Sequence, residues 1–152
     1  MAVLPRIMML AALASLLWLP AAAASEWQVT VGMADKVDDD YAPTVGVSYL
    51  TDHRFPVELM GGYIGSRQLD SGPAGPTWFA GAGLRWQGDW WFLGGGVALV
   101  SKQSEILSSA YQFVTTAGVR HGPWLASLRH LSNASTRGRN RGETFLSIGW
   151  AW

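Results

Sequence analysis

From Trp27 onward the chain alternates between apolar residues and small or polar ones. Trp27, Val29, Val31 and Met33 alternate with Gln28, Thr30 and Gly32, and Val45, Val47 and Tyr49 with Thr44, Gly46 and Ser48. Val57, Leu59 and Tyr63 share a phase opposite Glu58, Gly62 and Ser66. Trp78, Ala80, Ala82, Leu84 and Trp86 stand opposite Gly81, Gly83 and Arg85. Trp91, Leu93, Val97 and Leu99 form the next row, then Tyr111, Phe113, Ala117 and Val119. The last two rows are Trp124, Ala126, Leu128, His130 and Ser132, and Leu146, Ile148, Trp150 and Trp152. A period of two is the spacing of side chains on one face of a strand. The pattern predicts about eight strands, each with one apolar face and one small or polar face rich in glycine.

The connections alternate in length. Short links fall near 52–55, 87–89 and 121–123, and longer ones near 34–41, 67–76, 101–110 and 134–142. An even number of strands with short turns at one end and long loops at the other describes a bacterial outer-membrane barrel. The predicted fold is therefore all-β, an eight-stranded antiparallel transmembrane β-barrel, with the apolar face outward and the small residues filling a narrow bore. A soluble lipocalin-like barrel would reverse the two faces. The final Trp152 resembles the aromatic terminus of outer-membrane barrel proteins.

Composition agrees. Charged residues make up 14% of the chain, against about 25% in a typical soluble protein. There are 9 Trp and 18 Gly, which suit a hydrocarbon-facing wall with interfacial aromatics. Trp27, Trp86, Trp90, Trp91, Trp124, Trp150 and Trp152 fall near the short-turn ends, as an aromatic girdle would. The net charge of +0 gives no reason to expect a nucleic-acid partner, and 0 Cys excludes disulfides and thiol chemistry. Beyond residue 24 no run of apolar residues is long enough for a helical span. Residues 1–24 carry an early Arg6, an apolar run and a tail of Ala21, Ala22, Ala23 and Ala24. They read as a signal peptide cut before Ser25, leaving 25–152 as one barrel domain.

His130 and Ser132 lie two residues apart, in phase with Trp124, Ala126 and Leu128. A base and a nucleophile would thus stand on the oily side of a strand, an odd place for polar chemistry unless the substrate is a lipid. The strand starts at a short turn, so the pair lies near its outer end. Serine needs an adjacent base, and a carboxylate commonly orients the histidine. Glu143 is the candidate acid, met across the hairpin that joins the last two strands. Its phase is inward, so a bulge or special geometry at Gly142 is needed to turn it outward. Pairing of Glu143 with Arg129, Arg137, Arg139 or Arg141 is the competing reading.

The stretch His130-Leu131-Ser132-Asn133-Ala134, with Asn140-Arg141-Gly142-Glu143 after it, resembles the outer-membrane lipid A 3-O-deacylase family (PagL-type). The resemblance implies an eight-stranded barrel with an outward Ser-His-Glu triad. Ser132 would be nucleophile, His130 base and Glu143 acid. Asn133, Asn140 and Gly142 would support the oxyanion site. The implied reaction is hydrolysis of the ester-linked 3-hydroxyacyl chain of lipid A in the outer leaflet, without metal or cofactor. The loop before Glu143 is slightly shorter than the family's, which bears on the acid and oxyanion assignments. The implied location is the outer membrane of a Gram-negative bacterium, with lipopolysaccharide as the partner; a homodimer is compatible with this reading.

Other groups are read more plainly. Arg137, Arg139 and Arg141 make a basic loop, either contacts for lipid A phosphates or solvated charge. His53 and His121 are turn residues rather than metal ligands. Asp38, Asp39 and Asp40 form an acidic loop, read as solvated or as holding divalent cations. Glu58, Arg85 and Arg120 fall on the inward phase and call for internal pairing. Gly94-Gly95-Gly96 reads as close packing in the wall, since no helix follows it. The competing functions are a non-catalytic barrel for adhesion or membrane integrity, and another outer-leaflet lipid enzyme such as a phospholipase or palmitoyltransferase.

Overall fold

The alternation becomes a wall with two unlike faces. The computed structural model describes residues 25–136 and 141–152; the predicted signal peptide, Arg137, Arg139 and Asn140 lie outside the described residues. The strands are β1 (Glu26–Ala34), β2 (Pro43–Leu50), β3 (Val57–Ile64), β4 (Arg67–Leu69), β5 (Gly72–Ala74), β6 (Thr77–Gln87), β7 (Trp91–Val100), β8 (Tyr111–His121), β9 (Trp124–Ser132) and β10 (Glu143–Ala151). Eight of them close into an antiparallel barrel, neighbour to neighbour, with β1 sealing against β10. β4 and β5 form a separate hairpin in the connection between β3 and β6.

Phase decides exposure. On β10, Leu146 and Ile148 are 66% and 60% exposed, while Phe145 and Ser147 between them are 4% and 8% exposed. Val31, Leu84, Val97 and Leu128 stand outward in the same way. This inversion of a soluble barrel suits an apolar surrounding. Tight packing is visible at Gly96, where an added Cβ would lie 2.3 Å from the Ala82 carbonyl oxygen. The glycine run is thus a close approach of β7 to β6, as its sequence suggests.

The bore is filled. Near its middle Glu58 accepts from Arg85 (2.8 Å), Arg129 (2.6 Å) and the Ser48 hydroxyl (2.7 Å). Towards the short-turn end Arg120 pairs with Glu26 at 2.8 Å. The inward charges are therefore paired, and Arg129 belongs to this cluster rather than to Glu143. A void of about 20 Å³ remains among these side chains, space for about one water. At the long-loop end, Val37, Leu69, Ile106 and Leu107 join Leu131 and Phe145 in an apolar cluster that closes the mouth.

Aromatic pairs gather at the short-turn end. Trp86 meets Trp91 edge-on at 5.3 Å, and Trp124 meets Trp150 at 4.8 Å. Trp27 departs from the expected open row: it is buried, with the Tyr49 ring 4.9 Å away on the neighbouring strand.

The sequence shows 67–76 only as one of the longer connections. In the structure Arg67 is buried and donates to the Asp35 carbonyl oxygen and to Glu143, drawing the β4–β5 hairpin to the barrel mouth. Gly72, Pro73, Gly75 and Pro76 disguise the hairpin in the sequence, because three-residue strands are too short for alternation to register.

Candidate active site on the outer wall

β9 begins at the two-residue turn Gly122–Pro123 and runs towards the long-loop end. Its inward residues Leu125, Ser127 and Leu131 are buried, so His130 and Ser132 take the outward phase with Leu128. Both are partly exposed. Two residues along a strand span roughly 6.5 Å between Cα atoms, near enough for side chains on one face to meet.

The His130 ring is held from β10. The ladder pairs His130 with Thr144, and His130 Nδ1 lies 2.9 Å from Thr144 Oγ1. On its other flank His130 pairs with Thr115 of β8. The Cε1–Nε2 edge of the ring lies against Gly142, where an added Cβ would come 2.6 Å from Cε1 and 2.9 Å from Nε2. Gly142 directly precedes the Glu143–Leu131 pair, so it is level with Ser132. With Nδ1 occupied by Thr144, Nε2 is the nitrogen left for the serine side.

Ser132 ends the strand and begins a tight turn. Its Oγ accepts the Ala134 N–H at 3.1 Å. Ala134 and Ser135 adopt φ of 51° and 58°, a left-handed conformation uncommon for residues with a Cβ. The turn is fixed by Asn133, whose carbonyl oxygen accepts the Thr136 N–H at 3.0 Å and whose Oδ1 accepts the Ser135 N–H at 2.8 Å. Asn133 Nδ2 donates to Ser108 Oγ at 3.0 Å in the β7–β8 loop. Backbone strain of this kind collects where a turn must aim groups at a fixed point. Here it aims the Ala134 amide at the serine oxygen.

Glu143 is not brought to His130. Pairing of β10 with β9 is regular through Glu143–Leu131, without the bulge that would turn the carboxylate outward. Glu143 is consequently buried in the bore, ion-paired with Arg67. Of the four arginines considered for it, Arg129 and Arg141 bond elsewhere, and Arg137 and Arg139 lie outside the described residues. Asn133 likewise faces inward, and its side-chain bonds to Ser108 and Ser135 build the turn. Gly142 has φ of 76°, donates its N–H to the Ile106 carbonyl oxygen, and makes room for the imidazole. Arg141 is exposed and donates to the Lys36 carbonyl oxygen at 3.0 Å. Arg137, Arg139 and Asn140 are outside the described residues. Among the described residues, no cluster of three or more His, Cys, Asp or Glu side chains converges as a metal site.

Thr144 is the residue that sequence reading missed. A threonine at an outward strand position carries no chemical signal of its own. The register of the last hairpin is the clue, because it sets Thr144 opposite His130.

The barrel is similar in fold to a solved structure, that of the outer membrane enzyme PagL. The match has a TM-score of 0.50 and 17% sequence identity, covering 83% of this chain and 97% of that one. At this identity the likeness concerns the fold. No protein-family model matches the chain, and no curated protein matches it.

Proposed function

We propose that this protein is an outer-membrane serine esterase, a lipid A 3-O-deacylase of the Gram-negative outer leaflet. The observation that carries the reading is the placement of His130 and Ser132 on the same outward face of β9, near the long-loop end. A bore-facing pair would serve a soluble substrate in a channel, but this bore is packed. An outward pair meets whatever surrounds the barrel, and near the outer rim that is lipid A. Fold likeness to an outer membrane enzyme supports the location and the enzymatic class.

In the proposed reaction His130 Nε2 takes the Ser132 hydroxyl proton, and Oγ attacks the ester carbonyl of the 3-linked acyl chain. The Ala134 N–H, which bonds Oγ before the reaction, would turn to the carbonyl oxygen as Oγ joins the carbonyl carbon, and so stabilise the oxyanion. Collapse expels the sugar alkoxide, which takes the proton from the imidazolium. Water then attacks the acyl-serine with His130 again as base, releasing the 3-hydroxy fatty acid. Arg141, with Arg137 and Arg139, supplies cations for the lipid A phosphates.

The test is direct. Folded barrel in detergent is mixed with lipid A and the products are read by mass spectrometry. The expected result is loss of one 3-hydroxyacyl group and appearance of the free 3-hydroxy acid. Unaltered lipid A would overturn the reading in favour of a non-catalytic barrel. Cleavage of phospholipid, or transfer of an acyl chain to lipid A, would overturn it in favour of another lipid enzyme.

A second prediction concerns Gly142. In Gly142→Ala the new methyl meets the imidazole and the Leu131 carbonyl oxygen, at a φ that disfavours a side chain. Displacement of a catalytic ring by about 1 Å is expected to lower kcat on the order of 10²-fold. Heat-modifiable gel mobility should report a folded barrel. An unchanged deacylation rate would contradict the placement of the imidazole against Gly142.

A further inference from the structure

The outward row that crosses the barrel at His130 contains more than one polar residue. Reading across strands, His130 of β9 pairs with Thr144 of β10. The next rung brings Asp35, directly after Ala34, which pairs with Phe145. Asp35 clamps Thr144 on both sides of its backbone. The Asp35 N–H donates to the Thr144 carbonyl oxygen at 2.7 Å, and Asp35 Oδ1 accepts the Thr144 N–H at 3.3 Å. The Thr144 hydroxyl is thereby held against His130 Nδ1.

We propose that Thr144, fixed by Asp35, is the residue that positions His130, and that Glu143 is a structural latch for the β4–β5 hairpin. This rests on the esterase reading for its catalytic consequence, though not for its geometry. Parity argues it first. Thr144 and His130 share the outward face, and Glu143, one residue earlier, must face the bore. Bringing its carboxylate out by slipping β10 one residue would turn Phe145 and Ser147 outward and Leu146 and Ile148 inward, reversing the whole strand. Pairing argues it second. The Glu143 carboxylate already accepts from Arg67, whose other guanidinium nitrogen donates to the Asp35 carbonyl oxygen at 2.9 Å. Glu143 therefore ties the hairpin to the end of β1, beside the clamp on Thr144.

A hydroxyl differs from a carboxylate in what it gives the imidazole. An ionised carboxylate only accepts, so it enforces the Nδ1–H tautomer and leaves Nε2 as base. A threonine hydroxyl accepts or donates. It orients the ring, and its accepting mode selects the productive tautomer, but it brings no full charge to the imidazolium. The positioning effect is consequently smaller than that of a directly bonded acid, whose loss costs about 10⁴ in kcat in the Ser-His-Asp enzymes.

The experiment uses the full folded barrel and four variants. In Thr144→Val, kcat on lipid A is expected to fall on the order of 10²-fold with KM unchanged, and Thr144→Ser should restore most of it. Glu143→Gln should keep kcat within about threefold, as a group outside the reactive row should when buried hydrogen bonding is retained. Should that variant fold poorly, the Arg67→Met/Glu143→Leu pair removes both charges together and tests the same point. Nitrogen-15 NMR of the histidine ring supplies a readout independent of turnover. Wild type should give the Nδ1–H tautomer of His130, and Thr144→Val a mixture. If wild type lacks esterase activity while the tautomer still depends on Thr144, the functional reading fails and the positioning stands. A Thr144→Val protein with wild-type tautomer and kcat would overturn the proposal. So would loss of kcat in both a folded Glu143→Gln barrel and the doubly substituted one.

Discussion

Ser132→Ala is expected to reduce release of the 3-hydroxyacyl chain on the order of 10⁴- to 10⁶-fold, to the level left by binding and the oxyanion donor alone. His130→Ala should cost about as much, and the double variant little more than either, because the two groups act as one unit. The structural cost should be small. Both side chains stand on the outer face near the strand's end, outside the packed bore. Ser132 Oγ does accept the Ala134 N–H, so the following turn loosens in the alanine variant. That loss, about 1 kcal/mol for an exposed hydrogen bond, is too small to unfold a barrel. The measurement is initial rate by mass spectrometry beside heat-modifiable mobility for folding. A folded Ser132→Ala barrel that retains a tenth of the wild-type rate would remove the serine from the mechanism. Equal loss in folded variants at Ser132 and His130, with the double no worse, would be difficult to explain by packing alone.

The chemistry is legible in the sequence only as far as it follows from phase. Alternation located the eight barrel strands and assigned His130 and Ser132 to the same outward face as Leu128, which the structure bears out. It also gave Glu143 an inward phase. The expected bulge at Gly142 was an appeal to local geometry against that phase, and the regular Glu143–Leu131 pair decides for the phase. Its interior partner was beyond sequence reach. Arg67 sits far away in the chain, in a segment dense with Gly and Pro, and arrives only because the hairpin folds across the barrel mouth. Thr144 escaped for the opposite reason. It is close in sequence, yet its hydroxyl matters only through a cross-strand neighbour, and rung-by-rung register depends on a loop whose length the sequence leaves free. The Trp27 ring shows the same limit: its phase was right, but Tyr49 on the next strand covers it.

The largest loss of stability is expected inside the bore, at Glu58. This carboxylate of β3 is 1% exposed and draws together groups from across the barrel. Arg85 of β6 donates to it, as do Arg129 of β9 and Ser48 of β2. Arg85 also donates to Gln28 of β1 at 2.9 Å and lies 4.5 Å from the centre of the Phe92 ring. One anion thus offsets a buried guanidinium, Arg85, and a half-buried one, Arg129. In Glu58→Ala both cations lose the carboxylate that bonds them directly, and Arg85 keeps only the more distant Glu26, so the penalty is largely uncompensated charge rather than a lost contact. Breaking a buried ion pair by removing one partner typically costs about 3–5 kcal/mol. The expected result is a loss of that size in urea unfolding of the vesicle-refolded barrel, followed by tryptophan fluorescence and read as a lower midpoint at unchanged slope. Removing all three charges is the decisive companion. Glu58→Leu/Arg85→Met/Arg129→Met leaves no orphaned ion, and replacing a buried charge cluster with apolar side chains is often neutral or stabilising. The triple variant should therefore recover most of the loss, though its Met side chains fit the Gln28 and Thr116 partners less well. Glu58→Ala unfolding within about 1 kcal/mol of wild type would mean that water enters the bore and solvates the arginines, since surface-like ion pairs contribute no more than that. A triple variant as weak as the single one would instead assign the stability to the hydrogen-bond geometry of the cluster and not to its charge balance.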